Sequence, residues 1–228
     1  QKFSEYMNSW LYAKDGYYSK YKRIGKDGDF YTAVSSSRFF GGTLGKKVVD
    51  TINDGILDRD TTIVEIGAHH GYLLSDMIQF IYTLQPDLID TLKFAIVERY
   101  EHLQKAQIEY FKKSFGDKIQ LIHYDDISEL KLDSAFIVAN EIFDAFPCEL
   151  IKDGEMAYID DNHNIEFKEC DKRCQDMIDR YNLIKGEIPV GYEQFAKTMS
   201  ENIKKFEFIT FDYGDLADRR DFSIRIYD

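Results

Sequence analysis

The chain has 228 residues, 44% of them hydrophobic, enough for a sizeable core in one large domain or one domain with an insertion. Its 41 acidic and 29 basic side chains give a formal charge of −12; a surface of that sign gains nothing from counterion release on DNA or RNA, which argues against nucleic acid as the main partner. No apolar run approaches the ~20 residues of a membrane span. No signal or transit peptide is visible, and with Gln at position 1 the segment reads as trimmed. Three cysteines, Cys148, Cys170 and Cys174, make no disulfide framework, which fits a reducing compartment, and no second Cys/His pair accompanies Cys170 and Cys174, so no metal site is expected.

In chain order, residues 3–33 are aromatic and glycine-rich, with Tyr6, Trp10, Tyr12, Tyr17, Tyr18, Tyr21, Phe30 and Tyr31 among Gly16, Gly25 and Gly28. They read as an ordered cap that packs onto another part of the chain. Residues 36–53 predict a helix, because Phe39, Phe40, Leu44, Val48 and Ile52 recur at helical spacing behind Ser35 or Ser36 as N-cap. Thr62–Ile66 is a short β-branched run ending at Gly67, the signature of a buried strand. Leu73, Leu74, Met77, Ile78, Ile81 and Leu84 then mark an amphipathic helix that stops before Pro86. Phe94–Val97 is the next strand and ends at Glu98, a helix follows over about 100–114, and Ile119–Ile122 and Ala135–Ala139 are two further strands. Met156–Ile159 and Ile165–Phe167 read as a hairpin around Asp161-Asn162. A helix over about 192–205 and a strand at Phe208–Phe211, ending at Asp212, close the series. This alternation predicts an α/β, Rossmann-like fold with a doubly wound, mostly parallel sheet. The division expected is an N-terminal cap and helix over 1–54 and a core over 55–228, with 151–206 a substrate-side insertion, all in one structural unit.

Four clusters carry chemistry. In Val64-Glu65-Ile66-Gly67-Ala68-His69-His70-Gly71 a strand ends, Gly67 lets the chain turn and a ligand approach the backbone, and a helix opens with free N–H groups. The dinucleotide pattern needs glycine at its third position, where this chain has His69. Glu65 suits an amino group such as a methionine-like ammonium rather than a phosphate. A tight strand-to-helix turn that binds nothing would also use these glycines. Glu98, at the end of the second strand, can accept from two ribose hydroxyls. Asp125 and Asp126, after the third strand, can receive an adenine amino group or simply cap a turn. Asn140, Glu141 and Asp144 follow a strand directly, where ligands sit in open parallel sheets, and Glu141 can hold a guanidinium through two hydrogen bonds. His69 and His70 read as local hydrogen-bonding residues rather than catalytic bases.

Together these residues resemble the MidA-like family of S-adenosylmethionine-dependent methyltransferases. Glu5-Tyr6-Met7, Leu11-Tyr12 and Gly16-Tyr17-Tyr18 are similar to the family's opening "EYM…LY…GYY", and Gly28-Asp29-Phe30-Tyr31-Thr32-Ala33 to its "GDFxTA". Val64–Gly71 resembles the "EIGAGxG" cofactor loop, Ile96-Val97-Glu98 resembles "IVE", Ala139–Pro147 resembles "ANExFDAxP", and Asp212-Tyr213-Gly214 resembles "DYG". The resemblance runs nearly end to end. It implies a class I methyltransferase fold, S-adenosyl-L-methionine as cofactor, and Glu65, Gly67, Ala68, Gly71, Glu98, Asp125 and Asp126 around it, with Gly28, Asp29 and Thr32 folding over it to exclude water. It further implies methylation of an arginine on a protein partner, of the kind its mitochondrial member performs on a subunit of respiratory complex I during assembly. Glu141, Asn140 and Asp144 are then the catalytic candidates; Glu149, eight residues on and outside the family motif, makes with Glu141 a pair that resembles the paired glutamates of known arginine methyltransferases. The compartment implied is the cytoplasm or the mitochondrial matrix, and pairing of two copies into a homodimer is left open.

Three departures bear on this. His69 stands where the cofactor loop has its middle glycine. The chain stops about 14 residues after Asp212-Tyr213-Gly214, where family members usually run on. The stretch over 155–206 matches poorly, which leaves substrate choice open. Rival readings are a non-catalytic scaffold on the same fold and a small-molecule or RNA methyltransferase. A nicotinamide-dependent oxidoreductase is disfavoured by the missing loop glycine.

Overall fold

In a computed structural model, residues 1–18, 37–214 and 222–224 are described. Gly28, Asp29 and Thr32, expected over the cofactor, lie outside them. The chain divides into two compact units, one made of Gln1–Tyr21, Phe143–Gln194 and Tyr213–Asp228, the other of Lys22–Ile142 and Phe195–Asp212.

The second unit holds the parallel sheet. Its helices and strands are α2 (Arg38–Asn53), β1 (Thr62–Ile66), α3 (Tyr72–Leu84), β2 (Lys93–Val97), α4 (Glu101–Phe115), β3 (Leu121–Tyr124), β4 (Leu132–Asn140), the later part of α6 (Tyr192–Asn202) and β9 (Ile203–Phe211). The five strands lie in the order β3-β2-β1-β4-β9, every neighbouring pair parallel. The two central strands are buried along almost their whole length, β1 at every residue and β4 from Ser134 to Ala139. A parallel sheet covered on both faces accepts only such uninterrupted apolar runs. Leu44, Val48, Ile63, Leu74, Met77, Ile81, Phe94, Ile96, Phe111 and Phe136 form one continuous core with them. Helix α2 lies close against α3 because it carries glycines on the shared face. A Cβ on Gly41 would sit 2.6 Å from Asp76 Cβ, and one on Gly45 would sit 2.8 Å from the Met77 carbonyl oxygen.

Three expectations shift in detail. Ser37, not Ser35 or Ser36, caps α2, its hydroxyl accepting from the Phe39 N–H at 3.1 Å. Strand β3 begins two residues later than its apolar residues suggested, because the ladder runs from Phe94–Leu121 to Val97–Tyr124, while Ile119 is buried ahead of it. Helix α6 ends at Asn202 and β9 starts at once, with Ile203 paired to Leu132. Ile203 is apolar in either periodicity, so spacing alone extended the helix through it.

The first unit is built on an antiparallel sheet in the order β7-β6-β5-β8, formed by β5 (Cys148–Lys152), β6 (Glu155–Ile159), β7 (Ile165–Glu169) and β8 (Lys185–Pro189). The expected hairpin is β6–β7. Helix α1 (Phe3–Tyr12) packs on this sheet through Phe3, beside Cys148, Leu150, Ala157 and Ile159. Helix α5 (Lys172–Tyr181) covers Ile151, Met156 and Ile188 with Cys174. Cys170 precedes the helix and its N-cap Asp171, and Cys174 lies in its first turn. Glu149 is buried on β5, and its carboxylate accepts from both the backbone N–H and the hydroxyl of Ser4, at 3.2 and 2.5 Å. It fixes the start of α1 and is spent there, so it does not act as a second guanidinium ligand. Among the described residues no helix is long and apolar enough to cross a membrane.

Candidate functional site

The parallel register decides which residues meet. Ile66 is level with Val97 on one side and with Ala139 on the other, and Val97 is level with Tyr124. The next residue of each strand is therefore Gly67, Glu98, Asp125 or Asn140. These four leave the sheet, or reach its rim, in one row across the carboxyl ends of β2, β1, β4 and their neighbour β3. That is where open α/β sheets bind their ligands.

Between β1 and α3 the backbone adopts left-handed conformations at Gly67 (φ 70°), His69 (φ 47°) and Gly71 (φ 75°). The loop is tied by the Gly67 N–H to the Val97 carbonyl at 3.1 Å and by the Gly71 N–H to the Ala68 carbonyl at 2.7 Å. Gly71 has no room for a side chain, since a Cβ there would lie 3.0 Å from the Phe111 ring. His69 occupies a conformation that glycine takes freely and that costs another residue about 1–3 kcal/mol. The rings of His69 and His70 meet edge to face at 4.0 Å, and partial burial holds the His70 imidazole below its ordinary pKa. Glu65 is buried behind the loop, accepting from the Leu74 N–H at 3.0 Å in the first turn of α3. Burial pushes its carboxyl up to about 8, so it holds a proton at neutral pH until a cation or donor arrives.

At the end of β2, Glu98 is buried, accepts from the Tyr100 N–H at 3.1 Å, and is held above its ordinary pKa by desolvation. Asp125 stands exposed beside it, its carboxylate accepting from Gln104 Nε2 at 2.8 Å. Asp126 is committed to a turn: it caps the short helix Ile127–Glu129 and accepts from the Ser128 N–H at 2.9 Å, which holds it below its usual range. Its side chain therefore caps a turn, and Asp125 is the member of the pair placed in the row.

At the end of β4 the Asn140 Oδ1 is buried without a hydrogen-bond partner, one of two such side-chain atoms among the described residues, with the Tyr100 hydroxyl. Buried acceptors of this kind are rare and call for a donor from outside the chain. Glu141 follows with φ 54°, its N–H donating to the Phe211 carbonyl at 2.8 Å. Asp144 is exposed and belongs to the other unit. Among the described residues no group of three or more His, Cys, Asp and Glu side chains is placed to hold a metal ion.

Two residues that sequence spacing passed over lie at the centre of this region. Gln104 donates to the Glu98 carbonyl at 2.5 Å as well as to Asp125, and the fully buried Gln107 donates to the His69 carbonyl at 2.7 Å. The signal was present: Gln107 lies four residues from both Leu103 and Phe111, on the apolar stripe of α4, where a polar side chain needs a reason.

Two crystal structures of proteins from Burkholderia thailandensis share the fold. One, bound to S-adenosyl-homocysteine, is 23% identical with a TM-score of 0.77, over 94% of this chain and 58% of that one. The other, a native form, is 22% identical with a TM-score of 0.72, over 95% and 57%. This chain thus spans less than two thirds of the length of either. Residues 43–226 match the family described as "Putative S-adenosyl-L-methionine-dependent methyltransferase", which also holds the MidA-like proteins, and the chain belongs to that family.

Proposed function

We propose that the strand-end row of the second unit binds S-adenosyl-L-methionine and that the chain directs its methyl group to an arginine side chain of a protein partner. The observation that carries the cofactor half is the register-imposed row of Gly67, Glu98, Asp125 and Asn140 at the ends of four parallel strands. The residues fit the group. Gly67 leaves backbone exposed at the loop, the Glu98 carboxylate suits a ribose diol, Asp125 an exocyclic amine, and Glu65 an ammonium. The bound cofactor supplies an electrophilic methyl on a sulfonium, so the chain's own task is alignment and exclusion of water.

The acceptor half rests on Glu141 and Asn140. A guanidinium spreads its charge over three nitrogens, and two acceptors on adjacent residues aim one nitrogen while the carboxylate draws the charge to the others. A charge of −12 favours a cationic partner. The family resemblance adds the class of partner, a subunit of a respiratory complex I-type assembly. One observation favours a second reading, a scaffold that kept the site without turnover: His69 holds a strained conformation inside the loop.

Calorimetric titration with S-adenosyl-L-methionine tests the first half. Micromolar affinity is expected in the parent chain and a loss of at least a hundredfold in Glu98→Ala; equal affinity in the two would remove the row from the site. Mass spectrometry of an arginine peptide library tests the second. Glu141→Gln is expected to keep cofactor affinity and to lose methyl transfer by a hundredfold or more, whereas the scaffold reading expects no transfer from either protein.

A further inference from the structure

The side chain of Gln107 is fully buried in α4 yet uses both ends of its amide. Its Nε2 donates to the His69 carbonyl at 2.7 Å. Its Oε1 lies 2.8 Å from Nε2 of His123 on β3, and since the amide oxygen only accepts, His123 carries its proton on that nitrogen. The Gln107 Cγ lies 3.7 Å from where a Cβ on Gly71 would stand. One side chain therefore ties the β1–α3 loop to the body of β3. The tie to His69 lands on the loop residue whose backbone is least content with its conformation, φ 47°.

We infer that Gln107 is a positioning residue for cofactor binding: by tying the His69 carbonyl to His123 on β3 it holds the β1–α3 loop in the geometry that the loop would otherwise lose. This rests on the cofactor site proposed above. The chemistry is specific to a neutral amide. The His69 carbonyl needs a donor, while His123 needs an acceptor, and glutamine supplies both from one planar group. A leucine or methionine supplies neither, and a glutamate supplies only the acceptor.

The test uses the whole chain, with S-adenosyl-homocysteine as the probe and the parent protein, Gln107→Met and Gln107→Glu compared. Methionine keeps the length and packing of glutamine and removes its hydrogen bonds. Each variant is titrated calorimetrically well below its melting temperature, and amide hydrogen exchange is followed at Gly67 and Gly71 and along β1. The expected result is affinity roughly tenfold to a hundredfold weaker in Gln107→Met, with faster exchange at Gly67 and Gly71 while Ile63–Ile66 stay protected. Gln107→Glu, which keeps the His123 contact, is expected to weaken binding as much, and it carries the test if the methionine variant does not fold. Parent-like affinity in the variants overturns the inference, and so does an increase in exchange along β1 equal to that in the loop, which marks general loss of stability. A parent chain with no affinity for the probe removes the cofactor site and this inference with it, whereas a parent that binds beside variants that bind equally removes this inference alone.

Discussion

Glu65 and Asn140 are the two residues whose isolation makes the sharpest demands on the protein without ligand. Glu65 is titrated upward by burial to about 8. Between the ordinary carboxylate range and that value the folded state keeps a proton that the unfolded state has released. The stability it contributes is therefore complete at low pH and disappears as pH rises toward 8. The melting temperature of the ligand-free chain should fall by several degrees more between about pH 5 and pH 8 than that of Glu65→Gln, whose side chain can still accept from Leu74. A parallel pH profile for the two proteins would show that Glu65 is not the group responsible. Asn140 gives the opposite combination of effects. Its Oδ1 is buried and unpaired, so Asn140→Leu should stabilise the ligand-free chain by about 1–2 kcal/mol while weakening cofactor binding or transfer tenfold or more. Thermal unfolding and the calorimetric titration together check this. These residues were legible in the sequence because each lies in the last two positions of a strand and carries a functional group in an otherwise apolar run. Gln107 was not singled out because periodicity weighs apolar residues, and a glutamine within an apolar stripe registers only as a gap. Asp126 caps a turn in the structure, and the sequence left both roles open because capping and ligand binding call for the same residue type after a strand.

At the scale of elements, the parallel unit was largely predictable, and of the antiparallel one only the β6–β7 hairpin was. Strands β1, β2 and β4 are buried on both faces and so write themselves as continuous apolar runs. Strands β5 and β8 mix charged and apolar residues, as in Cys148–Lys152 and Lys185–Pro189, and helix α5 begins behind Asp171 with few apolar residues to mark it. Their order comes from pairing with partners distant in sequence, which no local pattern contains. Helix α1 shows the same dependence. Its own sequence is short for an independent helix, and it is secured at its start by Glu149 receiving two hydrogen bonds from Ser4. Glu149→Leu leaves two buried donors without an acceptor and should lower stability by about 2–4 kcal/mol. Chemical denaturation followed at Trp10, the one tryptophan of the chain and a residue of α1, checks it; an unchanged midpoint would mean that α1 is held by its apolar contacts alone.

For the whole molecule, the charge of −12 shapes encounters more than it shapes the fold. A cationic acceptor peptide should associate faster and bind more tightly at low ionic strength, with affinity falling several-fold between about 0.05 and 0.5 M salt, while S-adenosyl-homocysteine affinity changes little. Stopped-flow association rates across that range check it, and a salt-independent rate would leave the surface charge with solubility as its role.

The interleaving of the two units along the chain bears on how the protein is made. Residues before, between and after the segments of the parallel unit belong to its companion, and β9 finds its partner β4 only after β5 to β8 have been passed. On a ribosome the N-terminal helix emerges long before the strands it must cover, and the parallel sheet waits for its edge strand while a complete antiparallel sheet is synthesised. The antiparallel sheet and helix α1 can thus pair before β9 completes the parallel sheet. Nascent chains stalled between Pro189 and Ile203 should display the unpaired edge of β4 to chaperones while α1 is already covered by β5 and β6.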